Sequence, residues 1–253
     1  MKALAGKVAL VSGGGWNLGR AVALRFAREG ARVGVVGRRA ELLDGTVAAI
    51  EAEGGTALAL PADLTVWESA LEVNARMEER FGPVDVLAAL AGGGGTNEPF
   101  IECDPERWAR ILDVNVLCTF HAARAVVPGM VARGRGTLIT CGGGGSSFPI
   151  LDLPHTAYAT AKAAIGRFTD QLAVELLPHG VRVNCLLPGA VPADGDEENR
   201  EAAAELAAWL ASDASAPLSG RIVPTSEAWW RDPARVTEVQ RSPHAACLRR
   251  QIP

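Results

Sequence analysis

Residues 7–19 read KVALVSGGGWNLG, and the fold follows from how this stretch is read. Its first six residues form a short apolar, β-branched run that ends in glycines, the pattern of a strand buried on both faces. Residues 18–29 follow with helical periodicity, and Gly30 stops them. The glycines fall where strand hands over to helix. There they let the backbone turn tightly and approach a phosphate group, while the helix directs free N–H groups and a positive dipole end at it. The general G-x-G-x-x-G spelling is not matched cleanly. A tight strand–helix turn with no ligand is the plainer alternative at this point.

The same alternation continues outward. Strands are predicted at residues 32–37, 56–60, 84–91, 136–141 and 181–187, with a seventh at 220–223. Helices are predicted at 39–53, 66–81, 105–133, 157–177 and 201–212. Continuous apolar strands separated by helices describe a parallel sheet covered on both faces. No linker, low-complexity segment or repeat beyond this rhythm divides the chain. The expected fold is α/β: a single doubly wound, Rossmann-type domain over residues 1–253, with about seven strands and with 224–253 as a C-terminal tail.

Composition narrows the function. Residues are 48% hydrophobic and 21% charged, enough apolar material for a large core, and the net charge is −4. With lysine so scarce, nothing points to nucleic acid or another polyanion. The five cysteines lack C-x-x-C spacing and mostly fall in apolar runs. They read as buried hydrophobes in a reducing compartment, with no metal site expected. The first fifteen residues lack the apolar region and cleavage site of a signal peptide, and no apolar run reaches the length of a membrane span. A soluble, cytoplasmic protein is expected.

The second stretch that carries chemistry is Tyr158-Ala159-Thr160-Ala161-Lys162. It holds the only tyrosine and one of three lysines, with Lys2 and Lys7. On a helix, positions i and i+4 share a face, so phenol and ammonium lie side by side. A cation there favours the phenolate, and the expectation is a tyrosine pKa lowered from ~10 toward working pH. Such a tyrosine serves as a general acid/base. Alone, the pair could equally be surface residues that share a face.

Together these stretches resemble the short-chain dehydrogenase/reductase family. SGGGWNLG looks like its T-G-x-x-x-G-x-G turn, and Tyr158 and Lys162 match its Y-x-x-x-K. Asp63-Leu64 after the third strand, Ala91-Gly92 after the fourth, Asn115 in DVNVL and the run NCLLPG (184–189) match in order and spacing. The resemblance implies a nicotinamide dinucleotide across the carboxyl ends of the strands. Ser12, Gly13, Gly15, Trp16, Asn17, Leu18 and Gly19 would hold the pyrophosphate. Asp63 and Leu64 would meet the adenine, and Ala91 and Gly92 the ribose side. Pro188, Gly189 and Val191 would lie against the nicotinamide. An acidic residue at the end of the second strand would favour NAD; Arg38 and Arg39 stand there instead and favour a 2′-phosphate, hence NADP, with NAD possible. Arginine at a helix N-terminus opposes the dipole, which asks for another reason for its presence.

In the family the tyrosine exchanges a proton with the substrate oxygen, the lysine holds the nicotinamide ribose, and the asparagine bends its helix and positions a water. Tyr158, Lys162 and Asn115 fill these places. The fourth partner, a serine, is awkward. Read from the fifth strand it falls on Gly142 or Gly143; counted back from Tyr158 it falls on Ser146, with Ser147 next. Ser146 is the expected catalytic serine, and a backbone N–H, Ser147, His155 or water are the alternatives. Asn17 replaces the middle glycine of the first turn and is the non-glycine residue that best tolerates positive φ. Ala89 and Ala193 replace an asparagine and a threonine of the family pattern. His155 and Asp152 precede Tyr158 at the expected pocket mouth, as substitutes for the hydroxyl or as contacts to a polar substrate; His121, His179 and His244 suggest no site.

The resemblance implies an NADP(H)-dependent oxidoreductase that interconverts a carbonyl and a secondary alcohol on a small organic substrate, assembled as a homodimer or homotetramer. Trp229-Trp230 in the tail reads as packing at a subunit contact. The alternatives are non-redox chemistry on the same fold, such as elimination or cyclisation, and a dinucleotide-binding protein without turnover.

Overall fold

A computed structural model describes residues 2–93, 98–146, 149–151, 153–191, 197–242 and 245–246. Its sheet has seven parallel strands in the order β3-β2-β1-β4-β5-β6-β7. These are β1 (Val8–Ser12), β2 (Arg32–Gly37), β3 (Thr56–Pro61) and β4 (Val86–Ala89), then β5 (Gly136–Cys141), β6 (Val181–Leu187) and β7 (Ile222–Pro224). The helices are α1 (Asn17–Arg28), α2 (Ala40–Ala52), α3 (Trp67–Phe81), α4 (Pro105–Leu112), α5 (Cys118–Ala132), α6 (Thr156–Leu176), α7 (Glu197–Ala211) and α8 (Pro233–Arg241).

Strand β1 is buried at every position, and its side chains divide by the two-residue period of a strand. Ala9 and Val11 enter a core shared with α1, α2 and α7. Val8 and Leu10 enter the opposite core, shared with α3, α5 and α6. Phe26 of α1 is fully enclosed in the first core, a burial that stabilises by about 1.5–3 kcal/mol. The chain runs outward from β1 through β2 to β3, then crosses back to β4 on the other side of β1. At that reversal the connections diverge and leave a crevice beyond the carboxyl ends of the strands.

Four differences from the sequence reading have physical causes. The helix expected over 105–133 is interrupted by a π-helical turn, Asp113–Leu117. Asn115 Nδ2 donates to the Ile111 carbonyl at 2.8 Å, and a side chain in the backbone ladder is a recognised cause of such a turn. Strand β4 ends at Ala89 because the next residues leave the ladder; Ala91 N–H donates instead to Ser12 Oγ at 2.9 Å. The tail contains α8, whose N-cap Asp232 accepts from Ala234 N–H at 2.9 Å. Trp230 is 4% exposed and packs on Trp209 of α7, so its surface is buried within this chain.

The segment Pro105–Ala132 also reaches a mean hydropathy of 1.3 over an 18-residue window, enough by length and composition to cross a membrane. The sequence reading expected no such run. Packing against the sheet accounts for its apolar character, since Cys118, Ala122, Val126 and Met130 belong to the second core.

Candidate active site

A cleft of about 1440 Å³ lies along the carboxyl ends of the strands, larger than the ~300–1,000 Å³ typical of a small-molecule pocket. One end is the glycine-rich turn. Asn17 takes φ 45°, so asparagine does hold the left-handed conformation expected of a glycine there. A Cβ on Gly19 would land on the Gly13 carbonyl oxygen, so α1 starts this close to β1 only because residue 19 has no side chain. Among the described residues no side chain caps α1, and Leu18 and Gly19 of its first turn line the cleft. Such free N–H groups at a helix start fit a pyrophosphate. Asn17 Nδ2 donates to the Val191 carbonyl at 2.8 Å, tying the turn to the segment after β6.

Across the cleft, Arg38, Arg39, Asp63 and Leu64 form one wall, and Ala91, Gly92, Pro188 and Gly189 others. Arg38 and Arg39 are exposed. Asp63 accepts from Thr65 N–H at 2.9 Å and from its hydroxyl at 2.7 Å. The Thr65 N–H holds the Asp63 carboxyl below its ordinary pKa, and the Arg38 charge adds to this. Ser12 is buried behind the wall, its Oγ holding Ala91 N–H.

The far end is built by the π-helical turn and α6. Asn115 is fully buried; its Nδ2 donates to the carbonyls of Ile111 and Gly93, the latter at 3.0 Å. Its Oδ1 is buried without a hydrogen-bond partner among the described residues. A Cβ on Gly92 would meet that oxygen at 2.5 Å and Lys162 Nζ at 3.5 Å. An unpaired buried oxygen costs about 1–3 kcal/mol, and a water or ligand group would relieve it. Lys162 is 4% exposed, and its Nζ donates to the Cys141 carbonyl at 3.0 Å and lies 5.5 Å from the Tyr158 ring centre. Tyr158 and Lys162 therefore do share a face of α6 inside the cleft.

The tyrosine pKa moves opposite to the sequence expectation. Burial, with a smaller contribution from Cys141, pushes the Tyr158 phenol up to about 12. The lysine bonds to a carbonyl instead of to the phenol oxygen, so taking the phenolate out of water outweighs its attraction. Because Tyr158 is the only tyrosine, its ultraviolet phenolate signal reports this site alone. Titrating the free protein should show ionisation delayed toward pH 12; a midpoint at or below the ordinary ~10 would contradict it. Unfolded chain ionises first, so any stability the neutral phenol carries is whole below ~10 and lost as pH rises through the folded value.

Gly143, not a serine side chain, stands against the tyrosine hydroxyl. A Cβ at residue 143 would lie 2.6 Å from Tyr158 Oη and 2.9 Å from Lys162 Cγ. Ser146 stands further along the loop, its N–H donating to the Gly143 carbonyl at 3.3 Å, and lines the same cleft. His155 is the N-cap residue of α6 and its ring meets the Tyr158 ring edge-on at 4.8 Å. His121 bonds the Leu64 carbonyl at 2.9 Å. Ser147, Asp152, Ala193 and His244 lie outside the described residues. Sequence reasoning missed the Gly93 and Cys141 carbonyls, which hold Asn115 and Lys162, and the apolar wall of Ile150 and Leu153. The large apolar residues of an otherwise turn-like loop, Phe148, Ile150, Leu151 and Leu153, were the available signal for that wall.

Comparison with known proteins identifies relatives of the chain and of its fold. A short chain dehydrogenase named MYCFIDRAFT_6125 from Pseudocercospora fijiensis is 37% identical over 195 residues, covering 76% of this chain and 62% of that protein. The 2,3-dihydro-2,3-dihydroxybenzoate dehydrogenase of Bacillus subtilis is 33% identical over 195 residues, 76% of this chain and 73% of its own length. A solved structure from Beutenbergia cavernae, described as an NAD(P)-dependent gluconate 5-dehydrogenase with NADP bound at low occupancy, superposes with a TM-score of 0.80. It is 31% identical and covers 88% of this chain and 96% of that one. The family model for short chain dehydrogenase matches residues 7–204, and with the seven-stranded sheet and the relatives above it makes this chain a member of the short-chain dehydrogenase family.

Proposed function

We propose that this protein is an NADP(H)-dependent oxidoreductase that interconverts a carbonyl and a secondary alcohol on a small, largely apolar molecule. One observation carries the reading: the Tyr158 hydroxyl and the buried Lys162 line the same cleft as an uncapped, glycine-rich helix start. A bound nicotinamide dinucleotide supplies or accepts the hydride at the substrate carbon. Tyr158 gives the matching proton to the substrate oxygen in reduction and takes it back in oxidation. A phenol that stays neutral at working pH suits the donor role. Lys162 and Asn115 order the polar groups behind the tyrosine, and the unpaired Asn115 Oδ1 is placed to hold a water there. Ile150 and Leu153 give the substrate end an apolar wall.

The preference for NADP rests on Arg38 and Arg39, exposed on the cleft wall and in no salt bridge among the described residues. A guanidinium–phosphate bond contributes about 1.5–3 kcal/mol, or roughly 10–150-fold in affinity. Arg38→Glu should therefore weaken NADPH binding at least about tenfold relative to NADH. Fluorescence titration with both dinucleotides checks this, and an unchanged ratio would sink the NADP assignment while leaving the reaction class standing. Assembly as a homodimer or homotetramer belongs to the same reading, supported by the exposed Phe120 on α5 and Val174 on α6.

A further inference from the structure

We propose that His155 makes the hydrogen bond to the substrate oxygen that a serine makes in the family pattern. The inference rests on the carbonyl–alcohol reading above and names a substrate contact within it. Gly143 occupies the place beside the Tyr158 hydroxyl with backbone alone. No side chain fits there without moving both Tyr158 and Lys162, so the second ligand to a substrate oxygen must approach from another side.

His155 is fixed on such a side. It lies three residues before Tyr158, at the start of the same helix, and its carbonyl accepts from Ala159 N–H at 2.8 Å. Its ring is half-buried, lines the cleft and touches the phenol edge-on at 4.8 Å between centres. A substrate oxygen brought to the Tyr158 hydroxyl would enter the part of the cleft that the imidazole also lines. In reduction the imidazole N–H donates to the carbonyl oxygen alongside the tyrosine. In oxidation a ring nitrogen or N–H meets the alcohol oxygen, and no proton is consumed by this contact. Near that end Ile150 and Leu153 offer no donor, and Lys162 is bonded to the Cys141 carbonyl. Ser146, Ser147, a backbone N–H and water are the competitors named by the sequence, and Ser146 lines the same cleft.

The test compares His155→Phe, His155→Gln and Ser146→Ala on a ketone that the wild-type enzyme reduces. Phenylalanine keeps a ring against the phenol and removes the N–H; glutamine gives up the ring and restores a donor. The expected result is a loss of about 10²-fold in kcat for the phenylalanine variant, the scale of one lost oxyanion donor. Glutamine should recover most of it, with dinucleotide affinity unchanged in both. A merely structural ring contact predicts the reverse order. If phenylalanine prevents folding, alanine read against glutamine gives the same comparison. Wild-type kcat in the phenylalanine variant, or a loss confined to Ser146→Ala, overturns the proposal and leaves the reaction class intact. A wild-type protein inert toward every ketone and alcohol would instead remove the reading on which it rests.

Discussion

Tyr158→Phe is expected to lower kcat by about 10²–10⁴-fold, the contribution of a positioned proton donor, while dinucleotide affinity stays close to that of the wild type. The phenol contributes a hydroxyl at the far end of the cleft, beside Gly143 and above the buried Lys162. The glycine-rich turn that would take the pyrophosphate lies at the other end. Phenylalanine retains the ring, its edge contact with His155 and most of its burial, so folding should be preserved. Steady-state rates and equilibrium titration with the dinucleotide separate the two effects. A parallel fall in rate and in cofactor affinity would mean that the tyrosine acts through structure and not as the proton donor.

The second large effect is at Gly19. Helix propensity alone predicts that alanine at an early helical position stabilises by up to about 1 kcal/mol. Here the added Cβ would land on the Gly13 carbonyl oxygen and close against Gly14 N at 3.1 Å. Backbone atoms of the neighbouring turn cannot rotate away as a side-chain tip does. Overpacking of this kind costs about 1–3 kcal/mol or more, so the clash wins. Gly19→Ala should lower the melting temperature and abolish measurable dinucleotide binding. Gly45→Ala, inside α2 with nothing within 4 Å of the new Cβ, should be neutral or stabilising. The same substitution thus has opposite signs at two helical glycines. Equal effects at both would show that the close approach of turn and helix does not matter.

The βα rhythm was legible because fully buried strands leave continuous apolar runs, as Val8 to Val11 do in β1, a strand buried at all five positions. What the sequence hid was set by tertiary contact. Strand β4, read as 84–91, was read too long at its end because Leu90 and Ala91 are as apolar as the strand but turn away to wall the cleft. Helix α8 was missed although Asp232-Pro233 is an N-cap followed by proline, the same signal that Asp104-Pro105 gives for α4. The packing of Trp230 within the chain was hidden because its partner, Trp209, lies 21 positions away and on another element.

The site divided in the same way. Tyr158, Lys162, Asn17 and the arginines, named from residue type, spacing and the family resemblance, line one cleft. The direction of the tyrosine pKa was not legible, because it depends on burial and on the Cys141 carbonyl taking the lysine's bond. Counting from the strand and counting from the tyrosine gave different serine positions. In the loop, Gly143 lies at the hydroxyl and Ser146 follows after a turn in which Gly145 has φ 79°.

The central claim is that Tyr158 passes protons to a substrate oxygen in step with a nicotinamide. The most direct measurement follows nicotinamide absorbance with purified protein and a panel of apolar ketones and secondary alcohols, run for wild type and Tyr158→Phe together. The account predicts substrate-dependent turnover with NADPH or NADP in the wild type, and its near-complete loss in the variant. Tight dinucleotide binding with no turnover on any member of the panel, or turnover that survives the loss of the hydroxyl, would contradict it.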